Sequence, residues 1–280
     1  MDILVTTDWL ANELGASDLR ILDATYFALD PSRDPRADYD SGHIPGAVFM
    51  NLAALKDADN PVPFMLPSAE KFASRMRALG VGNGNRILLY DNSPHHTAAR
   101  AWWMLKTYGA QYVAILDGGL AKWIAEGRPL STEVAAFVPG HFTPRFNPAF
   151  VRTLDQIRAN LESGAEQVLD ARGAKRFSGE ESDPRPDVAS GHIPGSKNLT
   201  YDRLLNPDGT WKRGAALKAA FEDAGIDLAR PLVNTCGSGV TASVLQFGAA
   251  LLGKTDVALY DGSWSEWGSR PDTPKAITTA

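Results

Sequence analysis

The stretch Ser41-Gly42-His43-Ile44-Pro45-Gly46-Ala47 recurs further along the chain as Ser190-Gly191-His192-Ile193-Pro194-Gly195-Ser196, with His192 lying 149 residues after His43. Two more pairs of stretches repeat in the same order and at a similar distance: Ile21-Leu22-Asp23-Ala24 with Val168-Leu169-Asp170-Ala171, and Leu116-Asp117-Gly118-Gly119-Leu120-Ala121-Lys122-Trp123 with Tyr260-Asp261-Gly262-Ser263-Trp264-Ser265-Glu266-Trp267. Three ordered matches indicate a tandem duplication. A repeat of this length corresponds to two whole domains and not to a solenoid of small units.

A Pro-rich stretch from Val138 to Pro148 separates the two copies. Such a composition is typical of a linker between domains. The sequence therefore predicts an N-terminal domain at residues 1–137, a linker at 138–150 and a C-terminal domain at 151–280.

Within each copy, short apolar runs alternate with helix-like patterns. In the first copy, the apolar runs predict buried strands at residues 20–23, 86–90 and 112–116. Amphipathic or apolar helical patterns predict helices at residues 69–80 and 98–105. The second copy repeats the first helix at residues 217–225 and has an apolar run at 231–233. This alternation predicts an α/β fold in which each domain is a parallel sheet flanked by helices. Ligands in such folds bind beyond the carboxyl ends of the strands.

The composition limits the classes of function. The chain has 280 residues, a formal net charge of −5 and a single cysteine. A negative net charge gives no general attraction for nucleic acid or anionic membranes, and one cysteine excludes an intrachain disulfide. The N-terminus lacks the pattern of a signal peptide, and no apolar run is long enough to span a bilayer. We therefore expect a cytoplasmic monomer without nucleic-acid or membrane partners.

The single cysteine, Cys236, lies between an apolar run and a helical pattern, followed by Gly237, Ser238 and Gly239. A short loop at a helix N-terminus presents backbone N–H groups and the positive end of the helix dipole, which together favour a thiolate. The glycines let the chain curl around the sulfur. A buried structural cysteine is the alternative, but this loop favours a nucleophile.

These features together resemble the two-domain rhodanese superfamily of sulfurtransferases, over nearly the whole chain. The resemblance rests on the paired Gly-His-Ile-Pro-Gly motifs, the Cys236 loop and the stretch from Tyr260 to Trp267. It implies two tandem rhodanese-like domains and sulfur transfer through a persulfide on Cys236. The first copy agrees, because residues 89–97 stand at the equivalent loop and contain no thiol.

The subtype resembles the 3-mercaptopyruvate sulfurtransferases. Thiosulfate-using members typically follow the cysteine with basic residues, whereas this loop continues Gly237-Ser238-Gly239. The resemblance implies that Arg176 and Arg185 bind the carboxylate and keto oxygen of the donor, since a guanidinium suits bidentate recognition. It also implies that Gly237, Gly239, Val240 and Thr241 of the Cys236 loop contribute to substrate binding.

A proton relay is implied by the same resemblance. Its members are proposed to use a first-domain histidine, an upstream acidic residue and the loop serine, which match His43, Asp34 and Ser238 here. The duplication of the histidine motif in a domain without the cysteine favours a structural role for His192, and leaves His43 open.

Other functions remain as alternatives. A thiosulfate sulfurtransferase is the closest rival. A cysteine phosphatase needs an arginine six positions after the cysteine, where this chain has Ala242. A non-catalytic binding module is disfavoured because Cys236 is retained. Adjacent His95 and His96 have no Cys or acidic residue at metal-ligand spacing, so we expect no metal. Flavin and nucleotide motifs are also absent, so we expect no other cofactor. The expected partners are a small-molecule sulfur donor and, as acceptor, cyanide, a small thiol or thioredoxin.

Overall fold

The protein is described by a computed structural model that covers residues 1–28, 30, 32–135 and 137–278. The predicted domains also include Leu29, Pro31, Ala136, Thr279 and Ala280, which lie outside the described residues.

The chain divides into two compact units. The first consists of Met1–Asp57, Leu66–Asn147 and Asn206–Trp211, and the second of Ala58–Met65, Pro148–Leu205 and Lys212–Ala280. The division between Asn147 and Pro148 falls inside the predicted linker. Each unit also includes one short segment from the other half of the chain, which the repeat does not predict.

The first unit contains a five-stranded parallel sheet in the order β1-β5-β4-β2-β3. Its strands are β1 (Leu4–Val5), β2 (Leu19–Asp23), β3 (Ala47–Phe49), β4 (Arg86–Tyr90) and β5 (Val113–Leu116). The helices are α1 (Thr7–Glu13), α2 (Pro35–Ser41), α3 (Ala69–Ala78), α4 (Ala98–Thr107) and α5 (Gly119–Ala125), with a 3-10 turn at Leu52–Ala54. The predicted strands and helices of this copy are confirmed to within a few residues at their ends.

The second unit repeats this topology in the order β6-β10-β9-β7-β8, again with parallel pairs. Its strands are β6 (Val151–Arg152), β7 (Gln167–Asp170), β8 (Lys197–Asn198), β9 (Leu232–Thr235) and β10 (Val257–Tyr260). The helices are α6 (Leu154–Ser163), α7 (Ala174–Ser178), α8 (Gly214–Asp223), α9 (Ala242–Leu251) and α10 (Ser263–Trp267), with 3-10 turns at Pro148–Phe150 and Tyr201–Leu204.

Local sequence explains where these helices begin. A capping box starts α6, because Thr153 accepts from the Gln156 backbone and the Gln156 side chain accepts from the Thr153 backbone. The Ser68 side chain accepts from the Lys71 N–H at the start of α3. These caps satisfy amide groups that the first helical turn leaves without partners.

The cores lie on the sheets. In the first unit, Ile21, Leu88 and Trp123 belong to one buried apolar cluster. In the second, Val233 and Trp264 belong to its counterpart. The repeated Asp-Gly stretches thus supply large aromatic side chains to the core. Within the described ranges, no helix has both the length and the apolar character needed to cross a membrane.

Candidate active site

Cys236 directly follows β9, the central strand of the second sheet, and is only 2% exposed. The four residues of β9 are all buried, which fixes the position of the strand end. Six residues after the cysteine, α9 begins and runs for ten residues. Cys236 therefore lies at the carboxyl edge of a parallel sheet and near a helix N-terminus, where this class of fold binds ligands.

The loop after Cys236 is held mainly through its carbonyl groups. The Ser243 hydroxyl donates to the Gly239 carbonyl at 3.0 Å, and the Ser243 N–H donates to the Val240 carbonyl at 3.2 Å. The Val244 N–H donates to the Thr241 carbonyl at 3.0 Å. Gly239 has a φ of +78°, a conformation that favours glycine. The loop is thereby anchored to the first turn of α9.

The amide groups of the same loop have another arrangement. Across the described residues, the N–H groups of Gly237, Ser238, Val240 and Thr241 have no hydrogen-bond acceptor. Of these four residues Val240 is buried, and the other three are half-buried. These donors are therefore available to an anion bound at the loop.

The backbone of Cys236 is fixed by α10. The Cys236 N–H donates to the Ser263 hydroxyl at 3.3 Å, and the Trp264 N–H donates to the Cys236 carbonyl at 2.9 Å. Ser263 in turn donates to the Tyr260 carbonyl at 2.8 Å and has a φ of +49°. A left-handed serine is strained, and such strain concentrates at functional sites.

The next carbonyl in the loop, that of Gly237, has three donors. The Ser265 N–H donates at 2.8 Å, the Ser265 hydroxyl at 2.6 Å and the Arg185 Nη1 at 3.2 Å. Arg185 Nη1 also contacts the Ser265 hydroxyl closely. The loop is thus connected directly to one of the two arginines that the sequence predicts for the site.

Both predicted arginines are held by one buried carboxylate, Asp183. Arg185 donates from Nε and Nη2 to its two oxygens at 2.7 and 2.9 Å, and Arg176 donates from Nη2 to Oδ2 at 2.8 Å. The Arg185 N–H adds a fourth contact at 3.1 Å. Burial of the Asp183 side chain opposes ionisation, but the contacts from Arg185 and Arg176 prevail and lower its pKa to about 2.

The two guanidinium groups converge over the loop. A Cβ built on Gly237 would lie 3.6 Å from Arg176 Nη2 and 3.7 Å from Arg185 Nη2. The Arg176 and Arg185 side chains are 16% and 30% exposed, whereas that of Asp183 is 1% exposed. Nucleophile, loop amides and paired cations therefore stand together, an arrangement suited to a nucleophilic attack on an anionic substrate.

Ser238 is half-buried on the loop, and its side chain makes no hydrogen bond within the described ranges. Thr241 precedes α9 without capping it through its side chain. The structure thus places Cys236, Gly237, Ser238, Gly239, Val240 and Thr241 in one loop, as the sequence predicts.

His43 and Asp34 belong to the first unit. His43 is fully buried, with Nδ1 at 2.8 Å from the Tyr39 carbonyl and Nε2 at 3.0 Å from the Glu133 carbonyl. Asp34 caps α2 by accepting from the Arg36 N–H at 2.8 Å. Both ring nitrogens of His43 thus face backbone carbonyls, and the part of His43 and Asp34 in a proton relay stays a prediction.

His192 has the structural role that the duplication favours. Its Nδ1 lies 2.8 Å from the Phe177 carbonyl, and its ring stacks on that of Phe177 with centroids 3.9 Å apart. In the first unit, the ring of His43 stacks in the same way on Tyr39, also at 3.9 Å. The two motifs therefore make equivalent contacts.

In the first unit, the loop that matches the Cys236 loop contains a carboxylate. Asp91 follows β4 and accepts from the Ala98 N–H at 2.7 Å and the Ser93 N–H at 3.0 Å. Burial raises its pKa, although His96 and these two amides act in the opposite direction. The Asp91 side chain thus occupies the site at the start of α4 that corresponds to the anion site beside Cys236.

Sequence reasoning missed three residues of the site, namely Asp183, Ser263 and Ser265. A signal for the two serines exists in the repeat, because the matching residues of the first copy are Gly119 and Ala121. The serines occur only in the copy that carries the cysteine. No group of three or more His, Cys, Asp or Glu side chains that could hold a metal ion is found in the described part of the chain.

Comparison with known proteins finds relatives that match nearly the whole chain. The rhodanese-like domain family matches residues 6–126 and 153–270. Human 3-mercaptopyruvate sulfurtransferase is 40% identical over 270 residues, which cover 94% of this chain and 91% of the human protein. Thiosulfate/3-mercaptopyruvate sulfurtransferase 1 of Arabidopsis thaliana is 38% identical over 292 residues, which cover 97% of this chain and 77% of that protein.

A solved structure extends the likeness to three dimensions. The crystal structure of SseA from Escherichia coli, a 3-mercaptopyruvate sulfotransferase, superposes with a TM-score of 0.87 at 37% identity. The match covers 94% of this chain and 99% of the SseA chain.

Proposed function

The chain belongs to the rhodanese family, and from that membership we propose that this sulfurtransferase takes sulfur from 3-mercaptopyruvate through a persulfide on Cys236. One observation carries the choice of donor. The guanidinium groups of Arg176 and Arg185 converge beside the Cys236 loop and are oriented by Asp183. Planar forks of this kind suit the carboxylate of a 2-oxo acid.

The first half-reaction is a nucleophilic displacement at sulfur. The Cys236 thiolate attacks the sulfur of 3-mercaptopyruvate, so that an S–S bond forms and the C–S bond breaks. The electron pair of the C–S bond remains on carbon and gives the enolate of pyruvate. Protonation of that carbon releases pyruvate and leaves a persulfide on Cys236.

The proton for the enolate has a candidate carrier in the second unit. Ser238 lies two residues after the nucleophile, and its hydroxyl is not engaged with other described side chains. We assign it the transfer of a proton from solvent to the enolate. His43 and Asp34 complete a relay only if the contacts of His43 to the Tyr39 and Glu133 carbonyls open.

The second half-reaction passes the outer sulfur to an acceptor. The unpaired loop amides hold the persulfide anion in the meantime, and the positive end of α9 adds to their effect. A small thiol, cyanide or thioredoxin can attack the outer sulfur and restore the Cys236 thiolate. In this proposal the protein acts as a monomer, and it acts in the cytoplasm, because a single free cysteine suits a reducing compartment.

Thiosulfate is the second candidate donor. The same pair of cations can bind its sulfonate oxygens, and the related Arabidopsis protein is named for both donors. The loop itself argues against thiosulfate as the main donor, because Gly237 and Ser238 supply no charge of their own.

Steady-state kinetics with one acceptor and two donors test the proposal. We expect a higher kcat/KM for 3-mercaptopyruvate than for thiosulfate. Mass spectrometry after treatment with donor alone should show one added sulfur on the wild-type protein and none on Cys236→Ser. A higher kcat/KM for thiosulfate would reverse the assignment of the donor, and sulfur added to the serine variant would reject the nucleophile.

A further inference from the structure

Asp183 is the buried group on which both arginines of the site depend. Its Oδ2 accepts from Arg176 at 2.8 Å and from Arg185 at 2.9 Å, while Oδ1 accepts from Arg185 Nε at 2.7 Å. The side chain is 1% exposed, so water does not screen these contacts. No other carboxylate is paired with either arginine among the described residues.

The charge of this cluster follows from its members. Two guanidinium groups and one carboxylate leave a single net positive charge next to Gly237. The low pKa of Asp183 keeps that carboxylate ionised at any pH at which the enzyme would work. A monoanionic carboxylate donor is matched by one positive charge, whereas the thiosulfate dianion is only half neutralised.

We propose that Asp183 is a specificity-determining residue, which orients Arg176 and Arg185 and lowers the charge of the site to a value that favours a carboxylate donor over a dianion. This inference rests on the proposed function, because it explains how the site prefers 3-mercaptopyruvate. It assigns that preference to a buried residue behind the arginines and not to the loop alone.

The test replaces the charge and keeps the shape. Asp183→Asn retains an acceptor oxygen but raises the net charge by one, and Asp183→Glu retains the charge. We expect Asp183→Asn to raise the ratio of kcat/KM for thiosulfate to kcat/KM for 3-mercaptopyruvate by roughly tenfold, since charges near a partly buried site act over several ångströms. Asp183→Glu should keep the ratio near that of the wild type.

A matched control is available on the same segment. Asp187 is exposed and four residues away in sequence, so Asp187→Asn changes the formal charge of the protein by the same amount. Water screens an exposed charge, and the donor ratio should stay unchanged in this variant. A thermal melt of each variant verifies that it is folded.

A second measurement does not depend on any donor. Cys236 is the single cysteine of the chain, so alkylation by iodoacetate and by iodoacetamide reports on this site alone. The two reagents differ in charge, and their rate ratio cancels changes in thiol reactivity. Asp183→Asn should raise the iodoacetate-to-iodoacetamide ratio several-fold, and Asp183→Glu and Asp187→Asn should not.

The outcomes separate this inference from the proposed function. If both ratios rise in Asp183→Asn alone, the inference stands. If the alkylation ratio is unchanged, Asp183 does not set the charge at Cys236 and the inference fails, whichever donor the enzyme uses. If the alkylation ratio rises but the donor ratio does not, Asp183 does not determine specificity. If the wild type does not use 3-mercaptopyruvate at all, the proposed function fails while the alkylation ratio still reports on the charge that Asp183 sets.

Discussion

Replacing Arg185 by lysine separates the geometry of the site from its charge. The arginine donates to both Asp183 oxygens and to the Gly237 carbonyl, and a lysine ammonium cannot reach all three at once. The positive charge itself is retained. The variant therefore tests whether a planar fork is needed or whether any cation suffices.

The contacts that remain allow the magnitude to be worked out. In Arg185→Lys, the Gly237 carbonyl still accepts from the Ser265 N–H and hydroxyl, so the loop keeps two of its three donors. Asp183 still accepts from Arg176 and from the backbone N–H of residue 185. The loss is then mainly that of an oriented, charged hydrogen bond to the donor carboxylate, which amounts to about 1.5–3 kcal/mol or roughly 10- to 150-fold in kcat/KM.

The assay compares kcat/KM for 3-mercaptopyruvate and thiosulfate with one acceptor. We expect the large loss for 3-mercaptopyruvate and a loss of less than about threefold for thiosulfate, which is recognised chiefly by charge. The rate of Cys236 alkylation by iodoacetamide should stay near the wild-type rate and serves as the control for an intact loop. Equal losses for the two donors would refute the reasoning, because Arg185 would then act through the loop or through charge alone.

Four further predictions concern other parts of the molecule. Cys236→Ser should abolish turnover while circular dichroism stays that of the wild type, because a hydroxyl cannot form a persulfide; turnover above a small residue would contradict this. Ser263→Gly and Ser263→Ala should both lower kcat, since each removes the acceptor of the Cys236 N–H. Urea unfolding should find the alanine variant less stable than the glycine variant by about 1 kcal/mol, because alanine is strained in the left-handed conformation and glycine is not. Asp91→Ala should lower the free energy of unfolding by about 1–2 kcal/mol, because α4 loses its cap, and should leave kcat unchanged. Asp91→Asn keeps an acceptor and serves as the control, and an unchanged stability of Asp91→Ala would mean that the cap contributes nothing. Because Arg185 and Arg176 depress the pKa of Asp183 from 3.8 to about 2, the stability from this ion cluster is present above about pH 4 and is lost as the pH falls toward 2. The difference in melting temperature between the wild type and Asp183→Asn should therefore shrink over that range and stay constant from pH 5 to 7.

The fold could be predicted from the sequence because its signals are local. The run at residues 86–90 is apolar throughout and becomes β4, and the amphipathic pattern that begins at Ala69 becomes α3. The exchange of residues 58–65 and 206–211 between the two units could not be predicted, because it depends on packing between segments far apart in sequence. Loops without periodicity carry no such signal.

Part of the site was predictable for a different reason. Cys236, Arg176 and Arg185 are reactive or charged residues in recognisable motifs, so a resemblance could identify them. Asp183 stands two residues before Arg185 and looks like an ordinary loop aspartate in the sequence. Its role comes from burial and from simultaneous contact with two arginines, which only the folded chain brings together.

The two copies make an equivalent backbone hydrogen bond with different residues, and the difference distinguishes the copy that carries the nucleophile. In the first, the Leu120 N–H donates to the Asp91 carbonyl at 3.0 Å, next to Gly119 with a φ of +57°. A Cβ at Gly119 would lie 2.5 Å from that carbonyl oxygen, so glycine allows this close approach of the two backbone segments without a clash. The second copy places Ser263 in the equivalent conformation, at a cost of about 1–2 kcal/mol for a residue with a side chain. The serine adds the hydroxyl that accepts from the Cys236 N–H. The strained residue therefore occurs in the copy in which a cysteine follows the strand, whereas in the other copy that position holds Asp91, whose carboxylate is already bonded to backbone N–H groups of its own loop and helix.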